Sequence, residues 1–332
     1  MKYSVLFLIG LVLFSCSNEF DLTAPAQEIP IVYGLLSRAD DTHYIRVERA
    51  FINEETSALE LAQRPEELYF DEVIVELVRE RDGTTFLLEE VDGSQIGLER
   101  DLGIFATSPN ILYQIGADEL NLQEEEIYRL NIRRPNDDGL LTTATTPIVG
   151  DVRLNRPIPG NQKPPLRILE DDEITILWAA DESARLFDVA MVVNYEEFDP
   201  LDPNTLVQKS VEWKLAESIE GEDGPNRIEP DGIEFYRFLS ANIEVDANLQ
   251  RVLTTIDIRI DAGGEELFNY INVGQANTGI TSSQIIPNYT NLSSGLGIFA
   301  SRNTFLETDF VLDGQTRTAL RENELTRDLN FR

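Results

Sequence analysis

Cys16 is the only cysteine in the 332-residue chain, and it follows Lys2, an apolar run over 3–14 and the small residue Ser15. One basic residue, a short apolar stretch and a small residue before the cleavage point make a secretory signal. Leu13-Phe14-Ser15-Cys16 stands where a lipobox would, departing from its usual pattern at Phe14. The expected chemistry is lipidation of Cys16 as the new N-terminus, with residues 1–15 a lipoprotein signal peptide and 16–28 a lipidated tether. The run is shorter than the roughly 20 apolar residues that a membrane span needs. Two or three acyl chains hold a protein firmly, because each buried methylene contributes about 0.8 kcal/mol.

Lipidation uses the only thiol, so disulfides, thiolate nucleophiles and cysteine zinc sites are not expected. His43 is the only histidine. It stands between Asp41-Thr42 and an apolar strand pattern, which places it at a loop edge rather than at a general-base position. The chain has no Gly-x-Ser-x-Gly elbow, no His-Glu-x-x-His helix and no Walker loop. Neither catalytic residues nor an organic cofactor are expected. Two chemistries stay open: a carboxylate-pair glycosidase, which needs only two acids at the right separation, and calcium held in the acidic loops 170–173 and 220–231. Neither loop follows the alternating-oxygen spacing of a calcium hand.

With 27 basic against 60 acidic residues the formal charge is −33. Polyanion binding depends on Lys and Arg displacing counterions, so nucleic acid is excluded as a partner and anionic lipid is disfavoured. At 42% hydrophobic residues the chain has enough apolar content for two cores of ordinary size.

The elements that would position any site read as strands. Short runs rich in β-branched and aromatic residues lie at 31–36, 44–51, 73–79, 84–88, 127–133 and 140–146. Arg81-Asp82-Gly83 and Asn136-Asp137-Asp138-Gly139 predict tight hairpins, because Gly supplies the positive φ such turns require. In 127–133, Tyr128, Leu130 and Ile132 share the face expected to point inward. Leu59, Leu61 and Ala62 predict a short helix within 56–68. The proline-rich stretch 147–165 reads as irregular chain and as the boundary between a β-sandwich domain at 29–148 and a second domain at 149–332. Trp178 after Glu173-Ile174-Thr175-Ile176-Leu177, then 187–195, predicts a fibronectin-III or Ig-like sandwich with Trp178 in its core. Strands are expected at 207–215 and 251–260, with short helices at 265–277 and 314–327. The fold class is therefore mainly β, with two sandwich-like domains and one or two short helices in the second. Trp213, Tyr236 and Phe238 are the candidate ligand or partner contacts, since Trp and Tyr combine area with a polar tip, with core packing the commoner role for each such residue.

Three stretches carry a family resemblance: the lipobox at Cys16, Ile31-Val32-Tyr33-Gly34-Leu35-Leu36, and Ser293-Ser294-Gly295-Leu296-Gly297-Ile298-Phe299-Ala300. Together they resemble the Bacteroidetes outer-membrane lipoproteins catalogued as domain of unknown function 4249. Ser17-Asn18-Glu19-Phe20-Asp21 also resembles the serine-plus-acidic tract that sends such lipoproteins to the cell surface. The resemblance implies an outer-membrane, surface-facing lipoprotein that assists a TonB-dependent transporter in nutrient uptake, with an oligosaccharide or peptide as possible ligand. A structural or adhesion lipoprotein binding another envelope protein is the alternative. For Gly295 and Gly297 the expectation is close backbone approach or positive φ, with Phe299 filling the adjoining pocket.

Overall fold

A computed structural model describes residues 28–50, 58–136, 139–221, 225–276 and 288–332. Cys16, most of the tether, the first residues of the expected 56–68 helix, Asp137 and Asp138, and part of the acidic loop 220–231 lie outside the described residues.

The N-terminal half forms eight strands: β1 (Ile29–Ser37), β2 (Thr42–Ala50), β3 (Ile74–Arg79), β4 (Thr84–Leu87), β5 (Glu89–Asp92), β6 (Ile111–Gly116), β7 (Ile127–Arg133) and β8 (Leu140–Pro147). The order β1-β2-β6-β5 makes one layer and β4-β3-β7-β8 the other. Val32, Leu36, Ile45 and Val47 from the first meet Val75, Leu77, Leu130 and Ile132 from the second in one buried core. Period-two alternation explains the set, since alternate residues of a strand face one side. Tyr128 joins them, fully buried. Gly83 takes φ +72° between β3 and β4, and Asp82 accepts from the Thr84 amide at 3.0 Å. The 56–68 segment is two short helices, α1 (Ala58–Ala62) and α2 (Pro65–Leu68). Pro65 has no N–H to continue the first helix and is well placed to start the second. A further turn of helix, α3 (Ala117–Leu120), precedes β7.

The C-terminal half contains β9 (Val152–Arg156), β10 (Ile176–Ala180), β11 (Leu186–Asp199), β12 (Asp202–Glu220), β13 (Asn226–Ile228), β14 (Gln250–Gly263) and β15 (Leu296–Phe310). Three strands, β9-β10-β13, face four, β12-β11-β14-β15, in the three-plus-four arrangement of a fibronectin-III-like sandwich. Trp178 on β10 is fully buried and meets Phe187 edge-on at 5.5 Å. Strand β9 corrects the expectation of irregular chain over 147–165. Val152 and Leu154 point inward from it, and the prolines that suggested disruption stand outside it, at 147 and from 157 onward. Among the described residues this half also holds the helices α4 (Gly232–Asn242), α5 (Glu265–Ala276) and α6 (Gly314–Glu322). Asp313 caps α6 by accepting from the Thr316 amide at 2.7 Å.

Strand β15 joins the halves. It pairs antiparallel with β14 and parallel with β1, so one eight-stranded sheet, β12-β11-β14-β15-β1-β2-β6-β5, runs through both sandwiches. Ile148 belongs to one buried core and Val149 to the other, Leu292 and Phe299 join the N-terminal one, and the large sheet is continuous between them. The two motifs 31–36 and 293–300 meet at this seam, Ile31 opposite Leu296 and Leu35 opposite Ala300. Gly295 and Gly297 both take φ +106°, and a Cβ on Gly297 would lie 1.9 Å from the Val32 carbonyl oxygen. Phe299 is fully buried beside them. Among the described residues no helix is long and apolar enough to cross a membrane.

Candidate functional site

Strand β12 is 19 residues long and is the outermost strand of the large sheet. Its register with β11 runs from Leu186 opposite Glu220 to Asp199 opposite Asp202, with shifts between Phe187 and Val189, Val189 and Ala190, and Glu197 and Asp199, so one side is paired over most of its length. The other side presents backbone N–H and C=O groups to solvent, and no hydrogen bond reaches it from elsewhere among the described residues. A row of unpaired strand groups is a template for an added strand. The remaining edges are short or covered. β5 and β4 have 4 residues each, β13 has 3 and β9 has 5. The longer β8 is occupied by the 291–294 segment, where the Ser293 amide donates to Thr143 O at 2.8 Å and Asn291 Nδ2 to Thr145 O at 3.1 Å.

Alternation along β12 sends Val211, Trp213 and Leu215 toward the C-terminal core and leaves Glu212 and Lys214 in water. Beyond residue 210 toward the hairpin tip the strand is exposed on both faces, with Leu206, Val207 and, at 91%, Leu201 uncovered. These apolar tip residues were not singled out from the sequence. Their signal was Leu206-Val207, two consecutive apolar residues that break the alternation of a half-buried strand.

Of the three aromatic candidates, two come together. Trp213 on β12 stacks on Phe238 of α4 with ring centroids 5.7 Å apart and planes 17° from parallel, and packs at 5.9 Å from Phe235. Both are half-buried, so the stack holds α4 against β12 and keeps a partly open aromatic flank. Tyr236 is corrected to a core residue. It is fully buried and its hydroxyl donates to Ile168 O at 2.7 Å, with burial pushing its pKa to about 12. On the helix, which the sequence reading did not anticipate, Tyr236 and Phe238 point to different faces.

Near its tip the hairpin is held by charge. Arg251 on β14 is buried, donating from Nε and Nη2 to Glu197 Oε2 at 2.8 and 2.6 Å. It also donates to the carbonyls of Leu329 and Glu244, each at 2.8 Å. Lys209 on β12 closes the group at 2.6 Å from Glu197 Oε1. Burial pushes the Glu197 carboxyl up, but the hydrogen bonds from Lys209 and Arg251 outweigh it and hold it below the ordinary glutamate value. Three strands and the C-terminal segment are thereby fixed to one another, and Phe331 meets Tyr195 edge-on at 6.3 Å.

His43 is corrected as well. Strand β2 begins at Thr42, so His43 lies inside it, 2% exposed, and burial lowers its pKa. Glu125 and Asp181, one from each half, bring two carboxyls together: the Asp181 charge, then their shared hydrogen bond, raises the Glu125 pKa. They sit at the surface among Glu124 and Glu182. Among the described residues no group of three or more His, Cys, Asp or Glu is placed to hold a metal ion. In the 170–173 loop, Glu170 accepts from Asn323 Nδ2 and Asp172 pairs with Arg167.

No family model and no curated protein matches this chain. The geometry of the free β12 edge and its aromatic flank thus stands on its own.

Proposed function

We propose that this protein is a lipid-anchored, surface-facing outer-membrane lipoprotein, a non-catalytic accessory subunit that grips a TonB-dependent transporter by strand addition to β12. The observation that carries the binding mode is the unpaired 19-residue edge, longer than any other uncovered edge among the described residues. Main-chain hydrogen bonds along such an edge supply affinity, and pockets beside it select side chains. The Trp213–Phe238 stack offers the apolar contact next to the edge, and the Glu197–Arg251–Lys209 group keeps the hairpin rigid, so little ordering is needed on association.

The anchor, the outer-membrane address and the family reading rest on the sequence around Cys16 and on the two short motifs that meet at the β1–β15 seam. Affinity capture from solubilised outer membranes through this protein is expected to recover a TonB-dependent transporter. Recovery of a different envelope protein in its place would favour the adhesion alternative, and recovery of neither would contradict the accessory reading.

A further inference from the structure

The 93–110 connection between β5 and β6 is turned inside out. Several of its polar groups are tied inward: Asp92 Oδ1 accepts from the amides of Ser94 at 3.1 Å and Asn110 at 3.0 Å. Asn110 Nδ2 donates to Leu98 O at 2.7 Å, and Arg100 pairs with buried Glu48 at 2.8 Å while lying over the Phe105 ring at 5.0 Å. Its large apolar side chains point out. Leu102 is 94% exposed and Ile104 56%, and Ile96, Leu98 and Phe105 are exposed beside them. A loop held in shape by inward polar contacts and presenting five apolar side chains is a built surface, not a solvated connection.

This surface lies where the tether joins the fold. Ile29, the first residue of β1, is opposite Ala50, the last of β2. Next to it Arg49 binds Glu28 at 3.0 Å and donates to the carbonyls of Glu66 and Glu67 beside α2. The loop is bonded to the helix just before it, α1, with the Ala106 amide donating to Ala62 O at 2.8 Å. About a dozen residues separate Cys16 from Glu28, and such a tether spans at most about 40 Å and on average about 20 Å if flexible. The hairpin tip at Leu201 lies the other way, on the order of 60 Å along β15, β14 and β11.

We propose that loop 96–105 is a second membrane contact, its apolar tip seated at the acyl boundary of the bilayer that holds the lipid anchor. The proposal rests on the lipid-anchor reading of Cys16 and deepens it. The contact would be apolar and not electrostatic, because the loop's one basic residue, Arg100, is already engaged by Glu48 and the acidic Glu99 and Asp101 flank the apolar tip. Docked this way, the N-terminal sandwich stands on the membrane and β12 projects from the far end.

Lipidation of Cys16 leaves no free thiol, so Leu102→Cys carries a single polarity-sensitive dye, with Leu201→Cys as the distal control. The full-length lipidated protein is reconstituted into phosphatidylcholine–phosphatidylethanolamine vesicles. The expected result is a blue shift and several-fold protection from iodide quenching at 102, with neither at 201. Adding Ile104→Asp is expected to abolish the shift, and its persistence would assign the signal to the dye and overturn the proposal. Flotation with the vesicles without a shift at 102 would overturn the loop contact and leave the anchor standing. A shift seen only in native outer membranes would make the loop a protein contact and likewise overturn it. Failure to float would overturn the anchor and this contact with it.

Discussion

Replacing Gly297 by Ala tests the seam that makes one sheet of two sandwiches. The residue sits at φ +106°, and an added Cβ would stand 1.9 Å from the Val32 carbonyl oxygen, where ordinary contact begins near 3.4 Å. The backbone conformation alone costs an L-residue about 1–3 kcal/mol. Relief of the clash must also move β15 away from β1 within a register of seven residue pairs. Losing two or three ladder hydrogen bonds at about 1 kcal/mol each gives a total of roughly 4 kcal/mol. Gly83→Ala is the matched control: φ is +72° and nothing lies within 4 Å of the new Cβ, so only the conformational cost of about 1 kcal/mol remains. Urea unfolding followed by two probes separates the halves. Both tryptophans, Trp178 and Trp213, lie in the C-terminal sandwich, whereas circular dichroism reports both. The seam variant is expected to lose about 3 kcal/mol more than the control and to split the two transitions. Equal losses, within about 0.5 kcal/mol, would refute the claim that close backbone approach at Gly297 joins the halves.

Arg251→Met leaves Glu197 buried with Lys209 alone and two carbonyls without their donor, and is expected to cost about 3–5 kcal/mol in chemical denaturation; a loss below about 1 kcal/mol would contradict a structural role for the Glu197–Arg251–Lys209 group. Glu197 is held below its unfolded value, so its contribution is present above the unfolded pKa and is lost as pH falls through the lowered folded one. Stability measured against pH should therefore drop on the acid side of the ordinary glutamate range, and Glu197→Gln should flatten that limb. Cys16→Ala is expected to leave the fold intact and move the protein out of the membrane fraction, and retention there would contradict the lipobox reading.

Much of the fold was legible because period-two patterns survive where one strand face is buried. Tyr128, Leu130 and Ile132 on β7, and the turn at Asp82-Gly83, are local statements that need no partner. The seam was half legible: the glycines at 295 and 297 announced a backbone constraint, but which strand approached them depended on pairing across most of the chain. Strand β9 was hidden because prolines on its flanks dominate composition in a window longer than the strand. The edge β12 could not be read at all, since whether a strand is central or outermost is a property of the assembled sheet. Tyr236 is core because it lies on the inward face of α4, a helix not anticipated from the sequence, and the apolar loop 96–105 escaped notice because its residues lack strand or helix periodicity.

The central claim is that β12 meets a protein partner in the outer membrane. A photo-crosslinking residue at Val207, exposed near the hairpin tip of that edge, reports the contact in intact cells. The account predicts a covalent adduct to a TonB-dependent transporter, identified by mass spectrometry, and none when the same probe replaces Leu87 on the N-terminal sandwich. Adducts absent at 207 while the protein resides in the outer membrane would contradict it.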